Sequence, residues 1–429
     1  MLEESKRGIW KEEQIKRDLR PISPTIMRDF GIKIENSQHV TNLEELRKHP
    51  PNIIIARASK NSKFLQNYFK EQTLKKKAMY VMGLGVFQQL YCSKLTNKLK
   101  ILKPAPMRFK NMYNPYIGQD ATDKTILVFR TGGIGDLMFI QPNLIYLKQK
   151  YPTCKIKFAC GPQYQPMVET WECIDEVLDL PFPFRHLHES DYHMLFEGVI
   201  ERCKQAETSN AYNLFSSWLG LDLPDNLLLP RQAPREDLVD KCFDILKDWN
   251  LQNDSFVLMQ LRASSPIRTP RHEFWVKIID ELNNRGHYVI LTDNPRQAEN
   301  IDEFIKLLKK PEMTFNFCKH SESIAYTIAL TSLCKATFGT DSAISHIAAS
   351  LGKKCFGAFG PFPGYIRLKT YPNAGWVDAK KECAPCYIHS QTKCPKSTDG
   401  YSPCYDELIE TDEKLKDVID KFEELLTND

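Results

Sequence analysis

From Lys124 onward, short apolar runs alternate with longer stretches of helical period. "TILVF" (125–129) reads as a strand, and "GDLMFIQPNLIYLKQKY" behind it carries an apolar stripe at helical spacing. Strand "KIKFAC" (155–160), helix "QYQPMVETW" (163–171) and strand "IDEVLDLP" (174–181) continue the series. The stretch 182–235 has no clear period and predicts no element. A second series opens with helix "LVDKCFDILKDWNL" (238–251), strand "SFVLMQL" (255–261), helix "HEFWVKIIDELNNRG" (272–286) and strand "HYVILTD" (287–293). Helices 296–310 and 323–333, strand "KATFGT" (335–340), helix "SAISHIAASLG" (342–352) and strand "KCFGAFG" (354–360) follow, and a charged amphipathic helix (406–426) closes the chain. Alternation of this kind predicts parallel β–α–β units. Two series predict an α/β chain of two Rossmann-like domains, 121–240 and 241–429, facing each other across a cleft. Residues 1–120 form an extension, with a strand at 51–58, helix over 62–95 and a proline-bearing linker at 103–123, and read as a small accessory α/β module.

Charge sharpens the view of that extension. The whole chain is nearly balanced at +4, yet residues 51–110 hold 13 basic residues and a single acid, Glu71. Such a cluster attracts an anionic membrane surface, nucleic acid or an acidic partner; a solvated face on an accessory module accounts for it equally well. The charged start "MLEESKRGIW" lacks the layout of a signal peptide, and no apolar run is long enough to span a bilayer. Thirteen scattered cysteines read as reduced thiols. The expectation is a cytoplasmic protein, with the basic segment as its route to the inner face of a membrane.

Two strand–turn–helix junctions carry candidate chemistry. The first is "FRTGGIGDLMF" from Phe129. A dinucleotide fold requires G-x-G-x-x-G, but Gly133 and Gly135 are followed by Met138, and Lys155 and Lys157 stand where a ribose-binding acid is expected. That disfavours a dehydrogenase. Gly132, Gly133 and Gly135 still let backbone approach a ligand at the carboxyl end of a strand. Asp136, at or near the helix start, is either a capping carboxylate worth ~1 kcal/mol or a general base aimed into the cleft.

The second junction is "FGTDSAISHIAASLG". Free N–H groups at a helix start near Asp341 make an anion site. Hydroxyls of Thr340, Ser342 and Ser345 add donors, and His346 lies one turn in, where a ring nitrogen can donate to a phosphate. An ordinary capped helix with a satisfied histidine fits the spacing as well.

Together, "ILVFRTGGIGDLMFIQPNLIYLKQKYP", "KIKFACGPQYQPMVE" and "FGTDSAISHIAASLGKKCFGAFGPF" resemble glycosyltransferase family 9, which includes the lipopolysaccharide heptosyltransferases, over roughly residues 124–420. The resemblance implies the two-domain GT-B fold and an inverting, metal-independent transfer from a nucleotide diphosphate-sugar to a glycan or lipid-linked acceptor. It places Asp136 on the catalytic base and Thr340, Asp341, Ser342, Ala343, Ile344, Ser345 and His346 on the donor diphosphate loop. Ala343 stands where the family usually has Gly. In "LRASSPIRTPRHEFW" it points to Arg268 as the donor-binding cation, with Arg262 and Arg271 as near alternatives.

Catalysis so read requires no cofactor. Cys383, Cys386, Cys394 and Cys404 (one C-x-x-C and two single cysteines) admit either a structural zinc or a packed loop. His186, His188 and His193 read as a solvent-facing loop before they read as a metal site. Two alternatives stay open: a catalytically degenerate GT-B protein docking through its basic extension, and a nucleotide-sugar epimerase on a similar fold.

Overall fold

The computed structural model describes residues 42–44, 114–130, 132–180, 186, 189–196, 199–388 and 393–427, with 201 and 202 by backbone alone. The basic segment 51–110, the strand and helix expected within it, and His188 lie outside the described residues.

Two wholly parallel sheets organise the chain. The first contains β1 (Thr125–Phe129), β2 (Lys155–Cys160), β3 (Glu176–Asp179) and β4 (Tyr192–Leu195) in the order β3-β2-β1-β4. The second runs β10-β9-β8-β5-β6-β7, from β5 (Phe256–Met259), β6 (Tyr288–Leu291), β7 (Thr314–Asn316), β8 (Ala336–Gly339), β9 (Lys354–Phe359) and β10 (Ala374–Asp378). Central strands are apolar on both faces because helices cover both, which is why "FVLM" and "ILVF" are unbroken apolar runs. This is the GT-B arrangement of two Rossmann-like sheets.

Open parallel sheets bind ligands where the strand order reverses direction, beyond the strands' carboxyl ends. In the first sheet that point is β1, flanked by β2 and β4; in the second it lies between β5 and β8. The Gly132–Asp136 turn leaves β1 for helix α1 (Ile134–Lys150). The Arg268 turn follows β5 and the 340–346 loop follows β8. Each sequence motif therefore sits at a reversal point.

Several elements escaped the apolar pattern. β4, "YHML", carries His193 inside the sheet, where its Nδ1 accepts the Asn114 N–H at 2.9 Å. The reading of His186 and His193 as part of a solvent-facing loop is thereby corrected: both are buried, and His193 is a sheet residue. β7 is only three residues long, and β10 is a half-buried edge strand.

One apolar cluster joins the lobes. Phe139 of α1 and Tyr212 and Phe215 of helix α2 (Ala211–Trp218) pack with Ile347 and Ala348 of helix α3 (Ala343–Ser350), and Leu368 and Tyr371 belong to the same cluster. Leu43, from the short N-terminal piece, is buried in it too. On the second sheet, Phe422 of the last helix, α4 (Asp412–Thr427), packs on Phe338 and Phe356 at 5.3 and 5.6 Å between ring centroids.

Candidate active site

The turn beyond β1 is shaped around one carboxylate. Gly133 has φ 82°, which disfavours any side chain, and a Cβ there would collide with Asp136 Oδ2. Gly133 also occupies the N-cap, so Asp136 is a first-turn residue rather than the cap. Its Oδ2 accepts Arg130 Nη2 at 2.6 Å. Arg130 is only 2% exposed, and it is held on its other sides by the carbonyls of Gly132 (Nε, 3.2 Å) and Phe196 (Nη1, 2.8 Å). A guanidinium that deep requires partners all round. Asp136 keeps 28% of its side-chain surface open, enough for a hydroxyl to reach it.

On the other lobe, Ser342 is the N-cap of α3 but makes no capping hydrogen bond. The hydroxyls of Thr340, Ser342 and Ser345 are buried and have no protein partner. Buried polar atoms are rarely left so; three around one helix tip form a ready set of donors. Arg268 closes the ring. Its Nη1 donates to the Asp341 carbonyl at 3.1 Å and stands 3.3 Å from Asp341 Oδ2, its Nη2 donates to Ser264 Oγ at 2.7 Å, and its Nε is buried without a partner. On the far side Arg367 Nε lies 3.3 Å from Asp341 Oδ1, and its guanidinium sits 4.4 Å above the Phe362 ring. Asp341 thus braces two arginines, and the group of three keeps a net positive charge. Ala343 is half-buried, and Ile344 turns its side chain into the core, which leaves its backbone for a ligand.

Of the three arginines weighed from the sequence, Arg268 is the one that reaches this loop. Arg262 pairs with Asp293 at 2.9 Å, and Arg271 with Asp399 and Asp406.

One ring nitrogen of His346 is engaged within the protein. Its Nδ1 is 2.7 Å from the Tyr371 hydroxyl, which is in turn 2.5 Å from the Tyr212 hydroxyl. Its ring meets Phe139 edge-on at 4.8 Å. A Cβ built on Gly135 would stand 3.1 Å from His346 Cδ2. The Asp136 turn and the start of α3 therefore touch across the lobes. Burial lowers the His346 pKa to about 4, so the ring is neutral near pH 7. Arg130, Arg367, Tyr212 and Tyr371 were missed by sequence reasoning. Only Arg130 left a trace, as a charge at the end of a buried strand.

The His346 environment has a measurable consequence. An unfolded histidine takes up its proton near pH 6.5, whereas the folded one resists until about pH 4. Between these values the unfolded chain binds more protons, so stability falls as pH drops through that window, by up to about 3 kcal/mol. Denaturant melts of the wild type and His346→Gln at pH 7 and 4.5 check this: the variant should lose less stability on acidification.

The cysteines give a mixed picture. Cys383 and Cys386 are exposed, while Cys394 and Cys404 are buried. Burial pushes the Cys404 thiol up to about 12, and the other three cysteines stand near enough to add to the shift. Among the described residues, no three His, Cys, Asp or Glu side chains are placed to hold a metal ion. Nor is any helix among them long and apolar enough to cross a membrane.

Residues 201–395 match the family model of glycosyltransferase family 9 (heptosyltransferase). The chain is a glycosyltransferase with a family 9 region. That match begins after Asp136, so it spans less than the resemblance read over 124–420. Solved structures extend the likeness as fold. A family 9 glycosyltransferase from Veillonella parvula superposes with a TM-score of 0.54 at 14% identity, over 72% of this chain and 98% of its own. The ADP-heptose lipopolysaccharide heptosyltransferase II of E. coli gives 0.52 at 17%, over 70% and 98%. TibC, an iron-containing dodecameric glycosyltransferase from enterotoxigenic E. coli, gives 0.52 at 15%, over 72% and 78%. No curated protein matches the chain by sequence.

Proposed function

We propose that the chain transfers a sugar, with inversion, from a nucleoside diphosphate-sugar to a hydroxyl of a glycan or lipid-linked acceptor. The observation that carries this reading is the meeting of the Asp136 turn with a helix tip whose buried hydroxyls, together with Arg268 Nε, lack protein partners. The acceptor hydroxyl gives its proton to Asp136 as its oxygen attacks the anomeric carbon. The bond to the diphosphate breaks on the opposite face. Charge growing on the leaving diphosphate is met by the α3 N–H groups, the hydroxyls of Thr340, Ser342 and Ser345, and Arg268, all fixed before reaction. Asp341 acts by holding Arg268 and Arg367 rather than by touching phosphate, which it would repel.

These protein donors take the place of a metal in the proposed step. TibC is iron-containing. No step of the proposed reaction runs through a metal at the four cysteines. E. coli heptosyltransferase II is named for ADP-heptose, which makes ADP and a heptose the first donor to try. Calorimetric titration with ADP, UDP and GDP in the presence of EDTA tests the site. One nucleotide should bind, and its sugar conjugate should compete with it. Failure of all three to bind would remove the donor site and the function with it.

A further inference from the structure

Arg268 ends a single turn of 3-10 helix, Pro266–Arg268, in the loop after β5. Rigidity must come from elsewhere, and the far end of the cysteine-rich segment supplies it. Ser402 is 1% exposed, and its Oγ donates to the Ile267 carbonyl at 2.5 Å. Tyr405, fully buried, donates its hydroxyl to the Arg268 carbonyl at 3.3 Å and packs edge-on against Phe274. Cys404, between them, sits where a Cβ on Gly360 would collide with its sulfur, so the segment is wedged against the end of β9. Arg271, three residues after Arg268, ties down both flanks: its Nε donates to Asp399 at 2.7 Å and its Nη1 to Asp406. Asp399 in turn accepts the Tyr401 N–H at 3.1 Å. Two carbonyls of the Arg268 turn and the arginine just beyond it are thus gripped by one short stretch, 399–406, some 130 residues away in sequence.

We infer that residues 399–406 are a positioning clamp for Arg268: Ser402, Tyr405 and the Arg271–Asp399–Asp406 ion pairs hold the guanidinium at the diphosphate loop. The clamp rests on the proposed donor site and adds to it a role for the cysteine-rich segment in donor affinity. With the turn fixed, Arg268 meets the leaving diphosphate without first being ordered. When it is loosened, the same side chain is present but spends part of its time elsewhere.

The test is coupling to Arg268 itself. Ser402→Ala and Arg271→Ala are each made alone and combined with Arg268→Ala, and each protein is titrated with ADP, UDP and GDP after its thermal melt shows a folded state. In the wild-type background each clamp variant should weaken nucleotide affinity by about five- to fiftyfold, of the order expected for loosening one charge-assisted contact. In the Arg268→Ala background the further loss should shrink to about twofold or less. If Ser402→Ala fails to fold, Arg271→Lys gives the same reading from the partly exposed side of the clamp. Equal losses in both backgrounds mean general loosening of the lobe and overturn the inference. Wild-type affinity in the clamp variants overturns it too, with the donor site left standing. A wild-type protein that binds none of the three nucleotides overturns the site and the clamp together.

Discussion

Asp136→Asn should lower turnover by about 10²–10⁴-fold, the usual cost of removing a general base, while nucleoside diphosphate affinity stays within about twofold. The substitution keeps the shape of the side chain and an oxygen for Arg130, but removes the charge that balances a buried guanidinium and, in the proposed mechanism, takes the acceptor's proton. The melting temperature should therefore fall as well, since an uncompensated buried charge is costly. Nucleotide titration separates the two effects: a variant that binds the donor fully yet turns over slowly is folded and lacks only its base. Full activity in Asp136→Asn would eliminate it from that role.

Arg268→Ala should act on the other half of the reaction. Loss of a preorganised donor aimed at developing charge costs about 10²–10³-fold in kcat. Here nucleotide affinity should fall too, because in the proposed site Arg268 would face the diphosphate in the bound state as well. Arg268→Lys should rescue little. The arginine spans Asp341 with one nitrogen and Ser264 with another, and its Nε is buried without a partner, a fork that a single ammonium cannot reproduce. Steady-state kinetics of both variants, with donor and acceptor varied in turn, checks this. A lysine variant as active as wild type would show that charge alone suffices.

The fold was legible wherever burial on both faces forces unbroken apolar runs. It was illegible where tertiary pairing overrides composition. β4 contains tyrosine and histidine, yet it pairs with β1 along its length, and its histidine is satisfied by a backbone N–H that lies 79 positions earlier. The motif residues stand at turns and helix starts, and these are local events that spacing can reveal. Their supports are not local, because Arg130 to Phe196, Arg367 to Asp341 and Ser402 to Ile267 are contacts that only folding creates. His346 shows the limit of spacing most clearly. Its position on the helix was read correctly, but what its ring touches was decided by Tyr371 and Phe139.

The hydrogen-bonded chain from His346 through Tyr371 to Tyr212 crosses from one lobe to the other among buried side chains. Separating the lobes at this level would break the Tyr212–Tyr371 hydrogen bond, a net cost of about 0.5–1.5 kcal/mol, while His346 and Tyr371, both on the second lobe, stay paired. The apolar cluster shared by the two lobes around that bond adds to the cost of opening them wide here. Small movements at the rim would serve substrate traffic better, with the Asp136 turn and the start of α3 staying in contact.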